Sequence, residues 1–371
     1  MAEPLKQHFG PDIPRRIAAM LAAAWPEFGS AAFVADALRG YEPLSLTQRG
    51  AHIARAMRRR LPDDFDVTAR ILIASLGPKL EHTEKFGMGP FLYLPHVLYV
   101  AEHGVDNFEA AMQVQYELTQ RFSAEFSIRK FLERFPRETL ARLETWTKDP
   151  SPHVRRLVSE GTRPRLPWAP RLRDFQRDPG PVLALLELLK DDPELYVRRS
   201  VANNLNDIGK DHPRLLVDVA RRWLRDATDD RRWIVGHALR SAVKRGDARA
   251  LGVMGYGARA RVRVGKARIT PARAVIGGRV TIAFDIASAS PRRHRVLVDF
   301  RIHFVKASGA TSPKVFKLKV VDLAPRASVR LSKTVSLAEM TTRKHYPGSH
   351  RVDVVLNGEI RPLGRFALRR R

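Results

Sequence analysis

The apolar pattern of this 371-residue chain changes its period near Gly255-Tyr256-Gly257. Up to about residue 252, apolar residues recur at spacings of three and four, and Pro, Gly and Asp interrupt them, as is typical of amphipathic helices. Beyond Gly257, apolar and polar residues alternate, as in strands with one buried face. We therefore predict a multidomain protein, with an all-α helical-repeat domain over 1–256 and an all-β domain over 257–371.

The helical part contains three similar segments, in which an aspartate precedes an aliphatic residue by five positions: Asp149–Val154, Asp192–Val197 and Asp229–Ile234. The aliphatic positions are 43 and then 37 residues apart, close to the period of about 40–47 residues of HEAT-type helical pairs. The pattern predicts that each aspartate caps a helix and that Pro150 and Pro193 lie in a first turn. The expected buried stripes are Val154/Leu157/Val158 and Val197/Val201/Leu205.

The strand-like part predicts about seven strands, and Asn357-Gly358 is typical of a two-residue hairpin turn. An immunoglobulin-like or fibronectin-like sandwich fits about 110 residues of this kind. This segment contains neither cysteine nor tryptophan, so it lacks the disulfide and the packed tryptophan of antibody domains. The expected strands are Arg261–Ile269, Val280–Ile286, Val296–Phe304, Val315–Val321, Val329–Val335, Val352–Leu356 and Leu363–Leu368.

Positive charge is unevenly distributed along the chain. The net charge is +27, and the segment from Gly257 to Arg371 alone holds 26 basic and 6 acidic residues. Such an excess favours a nucleic-acid partner, because neutralised phosphates release counterions whatever the base sequence. We therefore expect the strongly basic domain over 257–371 to bind DNA. Three alternatives remain: binding to an anionic membrane surface, binding to an acidic protein, and a basic surface that serves only solubility.

Other features narrow the possible chemistry. No apolar run approaches the length of a membrane span, and Met1-Ala2-Glu3-Pro4 resembles no leader, so we expect a cytoplasmic protein without membrane association. The absence of cysteine excludes disulfides and thiolate chemistry. We find no phosphate-binding loop, nucleophile elbow or metal-ligand spacing, and we expect no metal, no nucleotide cofactor and no other cofactor. A monomer is expected.

Basic residues recur off the predicted stripes at one position of the repeat. Arg155 and Arg156 follow Val154, and Arg198 and Arg199 follow Val197, so the four could track a phosphate backbone along successive helices. Solvated helix faces are the alternative for each arginine alone. Glu160 follows Arg156 by four residues and is expected on the same face, where it would either face a polyanion or form an ordinary helical ion pair.

Two further residues attract interest. Glu125 is predicted in the first turn of a helix behind Ser123, where the helix dipole and a pair with Arg129 would explain it without a function. Trp168 lies in the proline-rich stretch Arg163–Pro170. A tryptophan there could be a structural plug, or it could stack on a base or a cation.

From residue 1 to about 250 the chain resembles the AlkC-type DNA glycosylases of the HEAT-like alkylation-repair superfamily. The segments that carry the resemblance are Met1–Lys6, Ser75–Pro78, Phe91–Pro95, Leu118–Arg129 and Leu157–Trp168. The last two are the specific ones, and the resemblance implies that Glu125 and Glu160 are active-site glutamates with Trp168 as an aromatic neighbour. Some members of the family carry an immunoglobulin-like module after the solenoid.

The resemblance also implies an activity. The chain would be a monofunctional DNA N-glycosylase that removes cationic N3-methylated bases, chiefly 3-methylcytosine and 3-methyladenine, without flipping the base. Its partner would be double-stranded DNA containing alkylated bases, with phosphates contacted by Arg155, Arg156, Arg163, Arg165, Arg198 and Arg199. The alternative is a non-catalytic HEAT-repeat scaffold that binds nucleic acid.

Overall fold

A computed structural model describes residues 5–84, 87–257, 260–340 and 343–370. Helices occupy the first part of the chain and strands the last part, which confirms the predicted fold class. The first four residues of the segment Met1–Lys6 lie outside the described residues. None of the described helices is long and apolar enough to cross a membrane.

The helices described begin after a short 3₁₀ helix at Leu5–His8, and a second 3₁₀ helix covers Gly89–Tyr93. The α-helices are α1 (Asp12–Ala24), α2 (Ser30–Leu38), α3 (Leu46–Arg58), α4 (Phe65–Ala74), α5 (Leu94–His103), α6 (Phe108–Thr119), α7 (Ile128–Arg134), α8 (Pro136–Trp146), α9 (Pro152–Gly161), α10 (Arg173–Arg177), α11 (Gly180–Leu189), α12 (Leu195–Asp211), α13 (Pro213–Trp223), α14 (Asp229–Arg245) and α15 (Ala248–Val253).

Helices α9 and α12 pack side by side and present the predicted stripes to the core. The stripe residues of both helices are fully buried: Val154, Leu157, Val158, Val197, Val201 and Leu205. Apolar residues three and four apart lie on one face of a helix, and their burial holds the helix in place. The two predicted stripes are therefore confirmed.

The starts of these two helices differ from the prediction by two residues. The Asp149 carboxylate accepts a hydrogen bond from the backbone N–H of Ser151 (2.8 Å), and Asp192 accepts one from Glu194 (2.9 Å). Each aspartate thus closes a local turn ahead of the helix, because its short side chain reaches the backbone two residues on. The prediction that these aspartates cap the helices was wrong: Ser151 and Glu194 occupy the cap positions.

In two successive repeats, the arginine directly after the aliphatic position links its repeat to the next one. Arg155 donates to the Asp192 carboxylate (2.6 and 3.2 Å) and to the carbonyl oxygen of Asp149 (2.8 Å). One repeat later, Arg198 donates to Asp230 (2.9 Å) and to the carbonyl of Asp192 (2.8 Å). We call these two arrangements the inter-repeat clasps. They fix the spacing of successive helical pairs.

We predict that Arg155→Met lowers the free energy of unfolding by about 3 kcal/mol, because it leaves the buried Asp192 carboxylate without its partner. Urea unfolding followed by tryptophan fluorescence measures this. The matched control is Arg199→Met, which removes an exposed arginine and should change stability by less than about 0.5 kcal/mol. Equal losses in both variants would contradict a structural role for the clasp.

The strands form two sheets. The strands described are β1 (Val262–Thr270), β2 (Arg273–Val275), β3 (Arg279–Ser288), β4 (His294–Val305), β5 (Thr311–Leu323), β6 (Ser328–Ser336), β7 (Gly348–Leu356) and β8 (Glu359–Arg369). One sheet has the order β1-β3-β6, and the other has the order β2-β8-β7-β4-β5, in which β2 runs parallel to β8. All seven predicted strands are present, and the short β2 was not predicted.

Alternating residues of the two sheets share one core. In β3 the core residues include Ile282 and Phe284, and in β4 they include Val298 and Phe300, each at most 1% exposed. The predicted hairpin joins β7 to β8, with positive φ at Asn357 (47°) and Gly358 (83°). Two successive residues with positive φ match the twist of the paired strands, which explains why Asn-Gly occurs there.

The chain divides into two compact units. One contains most of the chain up to Ala238, and the other contains Val217–Arg222 and the chain from Leu239 onward. The second half of α14 and all of α15 therefore belong to the same compact unit as the strands. Secondary structure changes type between Val253 and Val262, around the predicted boundary at 256/257, but the compact unit begins earlier.

Candidate active site

A cavity of about 320 Å³ lies in the helical unit, where the specific sequence segments meet. The turn before α7, the end of α9, the proline-rich loop and the start of α12 all contribute to its wall. The lining residues are Leu80, Gly87, Pro90, Phe91, Phe122, Ser123, Glu125, Phe126, Arg156, Glu160, Leu166, Pro167, Trp168 and Tyr196. Apolar and aromatic side chains dominate the list, so the few charged groups act in a partly water-excluded space.

Glu125 lies in a turn, three residues before the start of α7, and not in the first helical turn as predicted. Its Oε2 accepts hydrogen bonds from the Ser123 hydroxyl (2.9 Å) and from the Arg156 guanidinium (2.6 Å). The predicted pair with Arg129 was wrong. Arg129 instead donates to the backbone carbonyls of Gly161 and Arg163, both farther along the chain.

Glu160 ends the buried face of α9 and is only 6% exposed. Its Oε1 accepts a hydrogen bond from Arg163 (2.6 Å), and its Oε2 accepts one from the Ser200 hydroxyl (2.6 Å). Burial alone would raise the pKa of Glu160, but the positive charges of Arg156 and Arg163 and the Ser200 hydrogen bond hold that pKa below its usual value. Glu160 is therefore ionised although it is buried.

Arg156 joins the two glutamates. One terminal nitrogen donates to Glu125, and the other lies 3.5 Å from Glu160 Oε1. The guanidinium also lies over the ring of Tyr196, 5.3 Å from its centroid. Burial alone would lower the pKa of Arg156, but Glu125 and Glu160 together raise it. The helical ion pair between Arg156 and Glu160 is therefore present, and it is part of a cluster of three residues, Glu125, Arg156 and Glu160.

A second layer of charge supports this cluster. Arg163 donates from Nε to the Asp207 carboxylate (2.8 Å), and Lys210 contacts the other oxygen of Asp207 (2.7 Å). Every carboxylate oxygen of Glu160 and Asp207 thus has a partner. Glu125 differs, because its Oε1 has no hydrogen-bond partner among residues 5–84, 87–257, 260–340 and 343–370. That oxygen is available to a ligand or to a water molecule.

Trp168 lies on a constrained loop beside the cluster. Its side chain is 62% exposed, and its φ of 64° is a left-handed conformation that is rare for a bulky residue. Arg129 donates to the carbonyls of Arg163 and Pro170 at either side, and the N–H of Leu172 donates to the carbonyl of Pro164. The loop is therefore held at both ends, and the exposed indole is presented by a strained backbone.

The remaining predicted arginines are not equivalent. Arg155 and Arg198 form the inter-repeat clasps, Arg163 bonds Glu160 and Asp207, and Arg165 pairs with Asp211. Arg199 is exposed and has no ion pair within the part of the chain that the structure describes. Contact of any of the six with phosphate stays a prediction, and Arg199 alone is free to make one without losing a carboxylate partner.

Sequence reasoning missed several residues of the site. Tyr196 lies inside the second repeat segment, directly before its aliphatic position, and Ser123 and Phe122 lie inside Leu118–Arg129. The repeat and the motif therefore marked their positions without assigning them a role. Ser200 and Asp207 had no local signal, because they reach the cluster only when α12 packs against α9.

Comparison with known proteins places this geometry in a family. Residues 263–370 match the family model described as an uncharacterised YhaZ protein, C-terminal Ig-like domain. The chain is 34% identical over 361 residues to the uncharacterised protein YhaZ of Bacillus subtilis, covering 96% of this chain and 97% of that one. It is 39% identical to the solved alkylpurine DNA glycosylase AlkC of Pseudomonas fluorescens, bound to DNA containing an abasic site analog, with a TM-score of 0.91 and coverage of 99% and 100%.

The likeness extends over both compact units, and the second unit matches an Ig-like family model of its own. The chain therefore belongs to the AlkC family, in the subtype whose helical repeats are followed by a C-terminal immunoglobulin-like domain.

Proposed function

We propose that this protein is a monofunctional DNA N-glycosylase that hydrolyses the N-glycosidic bond of cationic N3-alkylated bases, such as 3-methylcytosine and 3-methyladenine, in double-stranded DNA. The observation that carries the proposal is the cluster in which Arg156 holds Glu125 and Glu160 together beside the exposed Trp168. The structural likeness to an alkylpurine DNA glycosylase supports it.

Removal of a cationic base needs a carboxylate near the sugar, but it does not need a general acid to protonate the leaving base. When a cationic base leaves, the electron pair of the C1′–N bond goes to the base and neutralises it, so the enzyme does not need to protonate the leaving group. The sugar becomes an oxocarbenium-like cation, and water then adds to C1′ and loses a proton. An anionic side chain close to C1′ lowers the energy of this cation and can accept the proton of the water.

We assign the substrate-facing role to Glu125. Its Oε1 lacks a partner among the described residues, and its Oε2 is fixed by Arg156 and Ser123, so the carboxylate is oriented while one oxygen remains available. Glu160 has both oxygens engaged and is nearly inaccessible. Glu160 would be a positioning residue, because it would hold the Arg156 guanidinium that orients Glu125. It would also add negative electrostatic potential to the cavity.

Trp168 would contact the deoxyribose or the cationic base from the surface. An exposed indole on a constrained loop can offer its π-face to a cation without a deep base-binding slot. Recognition would then depend on how easily the base leaves more than on hydrogen bonds to its edge, which is consistent with excision without base flipping.

We predict that Glu125→Gln lowers single-turnover excision of 3-methylcytosine from an oligonucleotide duplex by about 100-fold or more, because the developing cation loses its facing charge. Binding of the duplex should stay within a few fold. Glu160→Gln should nearly abolish excision and should also lower stability. The glutamine side chain is neutral and has only one acceptor oxygen, so it cannot replace the carboxylate between Arg156 and Arg163.

The matched control for both variants is Glu133→Gln, which changes an exposed glutamate that pairs with Lys130. Its excision rate should equal that of the unmodified protein. Unchanged turnover in Glu125→Gln would remove that residue from the mechanism. If the unmodified protein binds the duplex and releases no base, the non-catalytic scaffold is the correct function.

We predict that Trp168→Ala lowers excision by about tenfold or more without changing stability, because a stacking contact contributes roughly 1–3 kcal/mol and the indole has little core contact. Trp168→Phe should recover much of the rate. Trp233→Ala is the control, since Trp233 is also a partly exposed tryptophan and lies on α14, away from the cavity lining. A loss of stability in Trp168→Ala, with normal excision per folded molecule, would identify the residue as a structural plug.

A further inference from the structure

The ring of Tyr196 forms part of the wall of the candidate active site. Tyr196 lies in the first turn of α12, and its side chain lines the cavity together with Glu125 and Glu160. It reaches this place because α12 packs against α9, the helix that carries Arg156. The proposed chemistry needs an oriented Glu125, so a residue that holds Arg156 in place would affect the reaction without contacting the substrate.

Hydrogen bonds and ion pairs hold the Arg156 guanidinium mainly within its own plane. One terminal nitrogen donates to Glu125 (2.6 Å) and to the Ser123 hydroxyl (3.0 Å), and the other lies 3.5 Å from Glu160. The N–H bonds of a guanidinium all lie in the plane of the group. Because none of them points above or below that plane, these contacts do little to stop the group from tilting. The faces of the guanidinium need a different kind of contact.

The Tyr196 ring supplies a contact to one face. Its centroid lies 5.3 Å from the central carbon of the Arg156 guanidinium, within the range in which the face of an aromatic ring attracts a cation. This attraction is stronger where water is partly excluded, and the cavity lining is mostly apolar and aromatic. Burial raises the pKa of Tyr196, so the phenol is neutral near pH 7.

A second aromatic contact fixes the ring of Tyr196. His153 lies on α9, three residues before Arg156, and its ring meets that of Tyr196 edge to face with the centroids 5.6 Å apart. His153 is only 4% exposed, and burial lowers its pKa, so it brings no second positive charge to the ring near pH 7. The helix that carries the guanidinium therefore also supports the ring that covers it.

The position of Tyr196 recurs in the helical repeats, but its contact changes from one repeat to the next. The residue directly before the aliphatic position is His153 in the first segment, Tyr196 in the second and Trp233 in the third. The Trp233 ring stacks on His237 of its own helix, with an angle of 9° between the planes. In the second segment the ring instead meets the guanidinium of the preceding repeat. An aromatic packing position is thus placed against the charged cluster.

We propose that Tyr196 is a positioning residue for base excision and that it acts through Arg156. The electron-rich face of the ring holds the guanidinium at a fixed tilt, and the guanidinium in turn fixes Oε2 of Glu125. Oε1 of Glu125 then keeps one orientation toward the substrate. The inference rests on the proposed function, because it names a residue that supports the acid assigned to the substrate.

Fluorination of the ring tests this role while nearly preserving its shape. Tyr196→Phe is compared with variants in which the phenylalanine at this position carries one, two or three fluorine atoms, which weaken the negative potential of the ring face step by step. The single-turnover rate of 3-methylcytosine excision should fall in the same order, by about tenfold across the series. Affinity for the duplex should stay within about twofold.

Phe108 provides the matched control, because its ring also lies against a guanidinium. The Arg142 guanidinium lies 5.9 Å from the centroid of Phe108, and neither residue lines the cavity. The same fluorinated series at Phe108 should leave the excision rate unchanged. Tyr196→Leu keeps apolar bulk without an aromatic face and should be about tenfold slower than Tyr196→Phe, which should keep about half of the unmodified rate or more.

Two results would overturn the inference. Equal rates across the fluorinated series at Tyr196 would show that the ring acts only by packing, even if Tyr196→Leu is slow. A Tyr196→Phe rate as low as that of Tyr196→Leu would assign the effect to the hydroxyl group. In both cases the unmodified protein still excises 3-methylcytosine, whereas failure of the proposed function would appear as no excision by the unmodified protein.

Discussion

The candidate active site depends on one cation placed between two carboxylates. Without Arg156, Glu125 and Glu160 would meet in a partly dry cavity, and their mutual repulsion would favour protonation of one of them. Arg156, together with Arg163 and the Ser200 hydroxyl, keeps Glu160 charged while it is buried. The same guanidinium fixes one oxygen of Glu125 and leaves the other without a partner among the described residues. The ion pairs of Arg156 therefore orient the carboxylate that we assign to the substrate and help to keep the buried Glu160 ionised.

Two neighbouring arginines of one helix have different roles because a helix turns by about 100° per residue. Arg155 points toward the following repeat and clasps Asp192, whereas Arg156 points into the cavity. The next repeat keeps the first role at Arg198 but not the second, since Arg199 is exposed and unpaired among the described residues. The first arginine of the pair, Arg155 or Arg198, therefore has the same structural role in both repeats. The second arginine contributes to the cavity in only one of them, at Arg156.

Features encoded by nearby residues could be predicted from the sequence. The stripes of α9 and α12, the alternation in β3 and β4 and the Asn357-Gly358 hairpin each depend on residues a few positions apart. Partners could not be predicted in the same way. Glu125 bonds an arginine 31 residues away, and Arg129 bonds carbonyls more than 30 residues away. Local spacing suggested a pair between Glu125 and Arg129, but the packing of α9 against the turn before α7 gives each a different partner.

Arginines at the candidate active site are paired with carboxylates, whereas positive charge is in large excess in the segment from Gly257 to Arg371, and this separation suits the proposed chemistry. A site that stabilises a cation needs local negative potential, which a dense field of unpaired arginines around it would cancel. Around the cavity, Arg156 and Arg163 are matched by Glu125, Glu160 and Asp207. Attraction for a polyanion would instead come from the segment from Gly257 to Arg371, which holds 26 basic and 6 acidic residues. Separating the two kinds of charge along the chain would let the proposed enzyme attract phosphates and still stabilise a positively charged sugar.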